Sequence, residues 1–350
     1  MVPDVTLDDG RGAPGAGPAR RAPAARRIPA AVWRSRTPRI ILRRLLLAVP
    51  LLFVVSVLSF VLVSLTPGNA AQTLLGNSAS PQAIAQVQRQ LGLNLPLYEQ
   101  YWHWLTGAVQ GNLGLSLVSQ QSVAASVTGT RMWVTLSLIG GALLVTALVG
   151  VGLGMLSAIR GGVLGRALDA LSLVGYALPS FWAGAVLIAL FAVKLKWFPA
   201  VGYVAFSQSP GQWLRSLVLP VVALSLGSVA IVARYTREAM LDILSSEYVR
   251  MLWANGIPAR SIYFRHALKN AAARIITVLG IIVVGLLTGT VLVESVFALP
   301  GLGSLAVLAT NQHDLPSIQG VVVLFTIVVI VVNLAVDLAY SWLNPRVTSS

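Results

Sequence analysis

The chain has 350 residues, 56% of them hydrophobic and only 10% charged, with a mean hydropathy of +0.79. An ordinary soluble domain carries about 25% charged residues, so the composition excludes that class and points to an all-α polytopic membrane protein. The lack of cysteine excludes disulfides, thiolate metal sites and a Cys nucleophile.

Residues 1–39 are dominated by Pro, Gly, Ala and Arg without apolar periodicity, which predicts a disordered basic cytoplasmic tail. Arginine outnumbers lysine 22 to 3, a bias that fits a GC-rich, bacterial coding sequence. The first apolar run, about 45–65, is too long for the core of a secretory signal and is expected to remain as a spanning helix. A helix needs about 20 apolar residues to cross the hydrocarbon core. Six stretches qualify, approximately 41–65, 132–158, 169–193, 217–235, 275–297 and 319–343. Pro179 predicts a kink in the third, and the short fourth contains Pro220.

With the amino terminus inside, 20 Lys and Arg residues fall in inner segments and 5 in outer ones. The positive-inside rule therefore places both termini in the cytoplasm. This distribution, rather than nucleic-acid binding, accounts for the net charge of +14. The expected organisation is a tail (1–39), a first span (40–66), an extracytoplasmic loop (67–130), a five-helix core (131–343) and a cytoplasmic end (344–350).

Within the outer loop, "SPQAIAQVQRQLG" predicts a helix with Ser80 as N-cap, Pro81 in its first turn and Gly92 as its stop. The following piece, with Tyr98, Tyr101, Trp102 and Trp104, suits a helix at the outer interface, either as an anchor or as a binding element. On the inner side the fourth span is expected to run on through "ARYTREAMLDILSSEYVRMLWANG" to Gly256. Pro258 would then open a short amphipathic helix, "PARSIYFRHALKN". Exposed Tyr263, Phe264 and Leu268 on this loop suggest a docking surface rather than a plain solvated turn.

The stretch "EYVR…G…RHALKNA" resembles the EAA loop of ABC-importer permeases, in the version found in dipeptide and oligopeptide systems. Matching positions are Glu247, Tyr248, Val249, Arg250, Ala254, Gly256, Arg265, His266, Ala267, Leu268, Asn270 and Ala271. Met251, Leu252, Trp253 and Asn255 depart from the family pattern and make its first half more apolar, and Lys269 is a conservative change. "SLTPGNAA", "LGLNLPLYEQYWHWL…GNLGLSL", "LPSFWAGAVLI…WFPAVGY", "LVESVFALPGLG" and "NLAVDLAYSWLNPRV" are similar to further family motifs in order. Asn69, Asn94 and Asn112 stand where the family usually has Asp.

The resemblance implies a type I ABC importer permease architecture in the bacterial inner membrane. It implies a cytoplasmic coupling helix in an EAA-type loop (235–274). It also implies a second homologous permease, two ABC ATPase subunits and an extracytoplasmic substrate-binding protein as partners. The sequence contains no G-x-x-x-x-G-K-[ST], so ATP and Mg would be bound by the partner ATPases, with no cofactor and no catalytic or metal-binding residue in this chain. The expected ATPase-coupling residues are Glu247, Arg250, Ala254, Gly256, Tyr263, Phe264, Arg265, His266, Leu268, Lys269 and Asn270, with Arg260 on the same basic face.

Small and polar positions on the middle spans, Ser180, Trp182, Ser225, Ser228, Thr288 and Thr290, are candidates for lining a pathway. Ordinary helix packing is the favoured account of any single one of them, because Ser and Thr also serve common helix contacts. Glu294 admits two readings: a group at the outer mouth of the pathway, or one that snorkels or pairs with an arginine. Asp337 is expected to pair with a basic residue at the inner surface, and Asp169 to sit favourably at a helix start. "LPGLG" (299–303) reads as a tight outer turn. Di- or oligopeptides are the expected substrate class; nickel, haem or sugar remain alternatives. An ion-coupled transporter would need midplane carboxylates and repeated halves, and neither is evident. H-E-x-x-H and G-x-S-x-G are absent, which disfavours an intramembrane enzyme.

Overall fold

The computed structural model describes residues 31–66, 68, 70–76 and 79–343. The expected tail at 1–30, Asn69 and the carboxy-terminal end lie outside them, as does the side chain of Asp169. The first helix, α1 (Ala31–Ser64), starts within the stretch expected to be tail.

A six-residue helical piece, Ala70–Leu75, follows it, and the loop then forms α2 (Pro81–Gln90) and α3 (Leu97–Val109). As expected, the Ser80 hydroxyl accepts from the Ala83 N–H at 3.3 Å, Pro81 occupies the first turn, and Gly92 takes a positive φ of 69° beyond the end. Helical spacing divides the α3 aromatics between two faces. Tyr98 and Trp102 point outward. Tyr101 packs edge-on against Phe53 and Phe60 of α1, and its hydroxyl meets Ser56 at 2.9 Å.

The core then runs through α4 (Val123–Arg160), α5 (Gly162–Ala177), α6 (Ser180–Lys194) and α7 (Pro210–Leu244). Two of these differ from expectation. The third span is broken outright, because Pro179 bars its predecessor from helical geometry. Leu178 is extended (φ −78°, ψ 121°) and separates α5 from α6. Among the described residues, five helices, rather than six, are therefore long and apolar enough to cross a membrane. The fourth span is long, not short: α7 has 35 residues and carries Pro220 in its interior.

α7 is the hub of the bundle, with 61% of its apolar window buried against 17% for α1. Leu138, Ile139 and Ala142 of α4 pack with Leu219, Ala223 and Leu224 of α7 in the main core. Gly150 and Gly154 make a small-x-x-x-small pair on α4 that lets the two backbones approach closely. A Cβ on Gly154 would overlap the Ala233 carbonyl.

After α7 the chain forms α8 (Glu247–Ala254), α9 (Ala259–Val296), α10 (Leu302–Asn311) and α11 (Leu315–Leu343). The loop after α7 does not divide as its sequence suggests. α7 stops at Leu244 instead of running on to Gly256. Ser245 and Ser246 turn their hydroxyls back onto the carbonyls of Asp242 and Ile243 at 3.0 and 2.6 Å, a local bond that competes with helix continuation. Moreover, "PARSIYFRHALKN" is no separate short helix. It is the start of α9, which runs 38 residues with a π-helical turn at Ile262–Ala267. The free-standing element is thus the two-turn α8.

α8 ends in a Schellman motif. The Ile257 N–H bonds to the Leu252 carbonyl at 3.2 Å, and the Gly256 N–H to that of Trp253 at 3.0 Å. Gly256 has φ +71°, and nothing lies within 4 Å of where its Cβ would be. Gly256→Ala is therefore expected to cost only the left-handed backbone penalty, about 1–2 kcal/mol, and Gly256→Asn less. Thermal midpoints of the purified variants check this ordering.

Asp337 pairs with Arg44, as expected of a carboxylate near a basic surface. Both partners are partly exposed, so the pair contributes about 0–1 kcal/mol. More deeply placed polar contacts tie the long helices to the loop. Gln319 of α11 is fully buried; its Oε1 accepts from Ser59 Oγ at 2.9 Å, and its Nε2 donates to the Ser56 carbonyl at 3.1 Å. Asp314, just before α11, accepts from Ser116, Ser317 and the Leu117 N–H.

Candidate functional site

The loop between α7 and α9 is built on a small apolar anchor. Val249 and Leu252, three residues apart on α8, are buried together with Ile262 of α9, and Ile243, Leu244 and Ile257 close the cluster. Eight residues cannot hold a helix alone in water, so this anchor keeps α8 formed. Below it, Met155 and Ala158 of α4, Ala239 and Met240 of α7, and Ala267, Ala271 and Ile275 of α9 form a second cluster. The loop thus rests on three core helices. Arg274 reaches Asp242 at 2.7 Å and staples α9 to the end of α7.

With those faces buried, the outward surface is both apolar and basic. Met251, Trp253 and Phe264 are 58, 47 and 58% exposed, and Arg250, Arg260, Arg265 and Lys269 are exposed around them. Glu247, Ala254, Gly256 and Asn270 are also exposed. Tyr263 and Leu268 differ from expectation: both are half-buried and pack onto the second cluster, because the π-helical turn rotates them inward. Tyr263 keeps an edge-on contact with Trp253, and His266 is half-buried beside Tyr248. Met251 and Trp253, departures from the resembled pattern, supply exposed apolar area. Leu252, a third departure, turns inward and is part of the anchor.

Glu294, at the other end of α9, does not snorkel. It is fully buried, and its carboxylate accepts from Thr135 Oγ1 at 2.6 Å and the Ser304 N–H at 2.9 Å. The Thr135 oxygen also accepts from the Leu302 N–H at 2.9 Å. Two of the unpaired donors at the start of α10 are satisfied in this way. The "LPGLG" turn wraps the carboxylate so closely that a Cβ on Gly301 would overlap it. Arg131 donates to the Gly301 carbonyl at 3.4 Å and braces the turn.

The remaining pathway candidates are scattered. Trp182 is 51% exposed, Thr288 is exposed, and Ser180 and Ser228 are half-buried. Ser225 and Thr290 are buried, with their hydroxyls donated to the carbonyls of Val222 and Leu287 in their own helices. No His, Asp or Glu grouping suited to a metal ion occurs among the described residues.

Residues 150–349 match the binding-protein-dependent transport system inner membrane component, and residues 38–139 match the N-terminal membrane component of such systems. The chain belongs to this permease family. It is 39% identical over 308 residues to a probable peptide ABC transporter permease of Sinorhizobium fredii, covering 88% of this chain and 98% of that one. A glutathione transport system permease of Escherichia coli K12 is 36% identical over 311 residues, again covering 88% and 98%. The inward-facing MetNI methionine ABC transporter shares its fold, with a TM-score of 0.51 at 18% identity over 61% of this chain and 94% of that one. The protein is an all-α, multi-pass inner-membrane permease of the type I importer architecture.

The anchor residues escaped the sequence-based list of coupling positions. Their signal was available in the three-residue spacing of Val249 and Leu252 next to Ile257 and Ile262. Thr135 gave no such signal, since it meets Glu294 from 159 positions away.

Proposed function

We propose that this permease is the membrane subunit of an ATP-driven importer of di- or oligopeptides. It would work beside a second homologous permease, two ATPases that bind ATP and Mg, and an extracytoplasmic binding protein. Both termini and the loop 235–274 face the cytoplasm, and residues 67–130 face outward. Family membership supports the importer role, and relatives named for peptides and glutathione support the substrate class.

The observation that carries the coupling role is the exposed patch of Met251, Trp253 and Phe264 within a basic ring. An apolar centre with a charged rim has the anatomy of a protein-docking site. Here it would receive a groove on the ATPase with acidic or polar walls. Glu247, Arg250, Ala254, Gly256, Arg265, Lys269 and Asn270 contribute to the contact surface. Tyr263, His266 and Leu268 hold that surface onto the core. Ser180, Trp182, Ser225, Ser228, Thr288, Thr290 and Glu294 are the candidate lining positions, and alternating rocking of the helix bundle would expose them in turn.

In membrane vesicles containing the assembled system, peptide uptake is expected to stop on ATP depletion and survive an ionophore; the reverse pattern overturns the reading. Arg265→Glu is expected to reduce recovery of the ATPases with the permease about tenfold, the scale of one rim charge turned repulsive. Unchanged recovery and unchanged uptake would remove the coupling surface from this loop.

A further inference from the structure

α8 has two ends, and only one is held by its connector. The carboxy-terminal end is fixed to α9 by the Schellman motif and by Leu252, Ile257 and Ile262. The amino-terminal end follows two residues, Ser245 and Ser246, that break the helix from α7. Val249, in the first turn of α8, packs with Ile243, Leu244 and Ile262, a non-directional apolar contact under which α8 could still roll, and a push on its outer face would be absorbed by that rotation.

One side-chain hydrogen bond joins this end of α8 to α9. Tyr248 Oη and His266 Nδ1 lie 2.8 Å apart and hydrogen-bond, with the rings edge-on at 6.1 Å. Tyr248 is in the first turn of α8, and His266 is one turn further along α9 than Ile262. The anchor and this bond are therefore separate attachments to the same helix. Two attachments remove the rotation that one permits. The bond joins the first turn of α8 to α9, so load on α8 reaches that core helix.

We infer that Tyr248 and His266 are positioning residues that form a strut, locking the amino-terminal end of α8 to α9 so that displacement of α8 is transmitted to the membrane helices. The inference rests on the proposed coupling role of the loop and assigns these two side chains a part in its efficiency. Neither residue need touch a partner for the strut to act.

The test uses the complete complex, with its binding protein, in proteoliposomes, and reads peptide uptake and ATP hydrolysis in the same sample. Tyr248→Phe removes the hydroxyl and keeps the ring; His266→Ala removes the other partner. Each is expected to lower peptide moved per ATP hydrolysed about threefold, the scale of one net hydrogen bond. The double variant should be no worse than either single one, since both remove the same bond. His266→Gln, which can still hydrogen-bond the tyrosine, should recover most of the ratio. Independent, additive losses, or a ratio unchanged in both single variants, would overturn the strut. Failure of the unmodified complex to show any ATP-dependent uptake would instead overturn the importer reading.

Discussion

Glu294→Ala is expected to be among the most damaging single changes in the chain, though it touches no partner surface. The carboxylate accepts from Thr135 and from the Ser304 N–H in a fully buried setting. Hydrogen bonds to charged groups contribute roughly 1.5–3 kcal/mol each, and the orphaned donor adds its own desolvation cost. A loss of about 3 kcal/mol or more follows from these terms. Glu294→Gln should fall between alanine and the native residue. Its oxygen can accept from only one of the two donors, while its amide must face the other side. Gly301→Ala should resemble Glu294→Ala in direction, because a methyl there displaces the carboxylate, an overpacking that costs about 1–3 kcal/mol. The two changes act on one contact, so their combination should fall short of the sum. Thermal midpoints of detergent-purified variants measure all four effects; a Glu294→Ala protein as stable as the native one would refute this role.

Leu252→Ala is expected to abolish most transport while leaving the spans intact. The side chain is part of a cluster whose buried members are only Val249, Leu252 and Ile262. Truncating a buried leucine costs about 2–5 kcal/mol, and this shallow site belongs near the lower figure. That amount suffices to unfold α8 locally, since low-stability elements open independently of the global fold. Uptake should fall at least tenfold, and trypsin should cut after Arg250 far faster in the purified variant. Met251→Ala and Trp253→Ala make the contrast: their side chains point outward, so they should weaken ATPase binding without raising cleavage. Fast cleavage in those two, or slow cleavage in Leu252→Ala, would contradict the assignment of faces.

Local chemistry was legible in the sequence wherever the cause lay within a few residues. Ser80, Pro81 and Gly92 bound α2 as their capping chemistry requires, and the apolar runs located the first and last expected spans closely. Asp337 found a basic partner because little else near a membrane surface can satisfy a carboxylate. The loop after α7 was harder. A stripe of apolar residues continues through Ser245 and Ser246, and nothing in its period reveals that the hydroxyls bond backward. Pro258 looks like a helix start, as it is, but periodicity cannot say that the helix continues for 38 residues. Long-range pairs were illegible. Glu294 with Thr135, and Gln319 with Ser59, bring together residues that share no spacing. Tyr248 with His266 shares the difficulty over a shorter interval, because their separation includes the Gly256 turn.

The unbroken course of α9 has a mechanical consequence. At 1.5 Å per residue, 38 residues make a rod of about 57 Å, nearly twice the roughly 30 Å hydrocarbon core. On the proposed coupling role, such a rod would act as a lever with its fulcrum inside the membrane. A tilt of about 10° about its middle carries each tip about 5 Å, in opposite senses. Phe264 and Arg265 lie near one tip and Glu294, clasped in its turn, near the other, so on that reading a small swing at one surface would open or close the opposite one without any helix having to unwind.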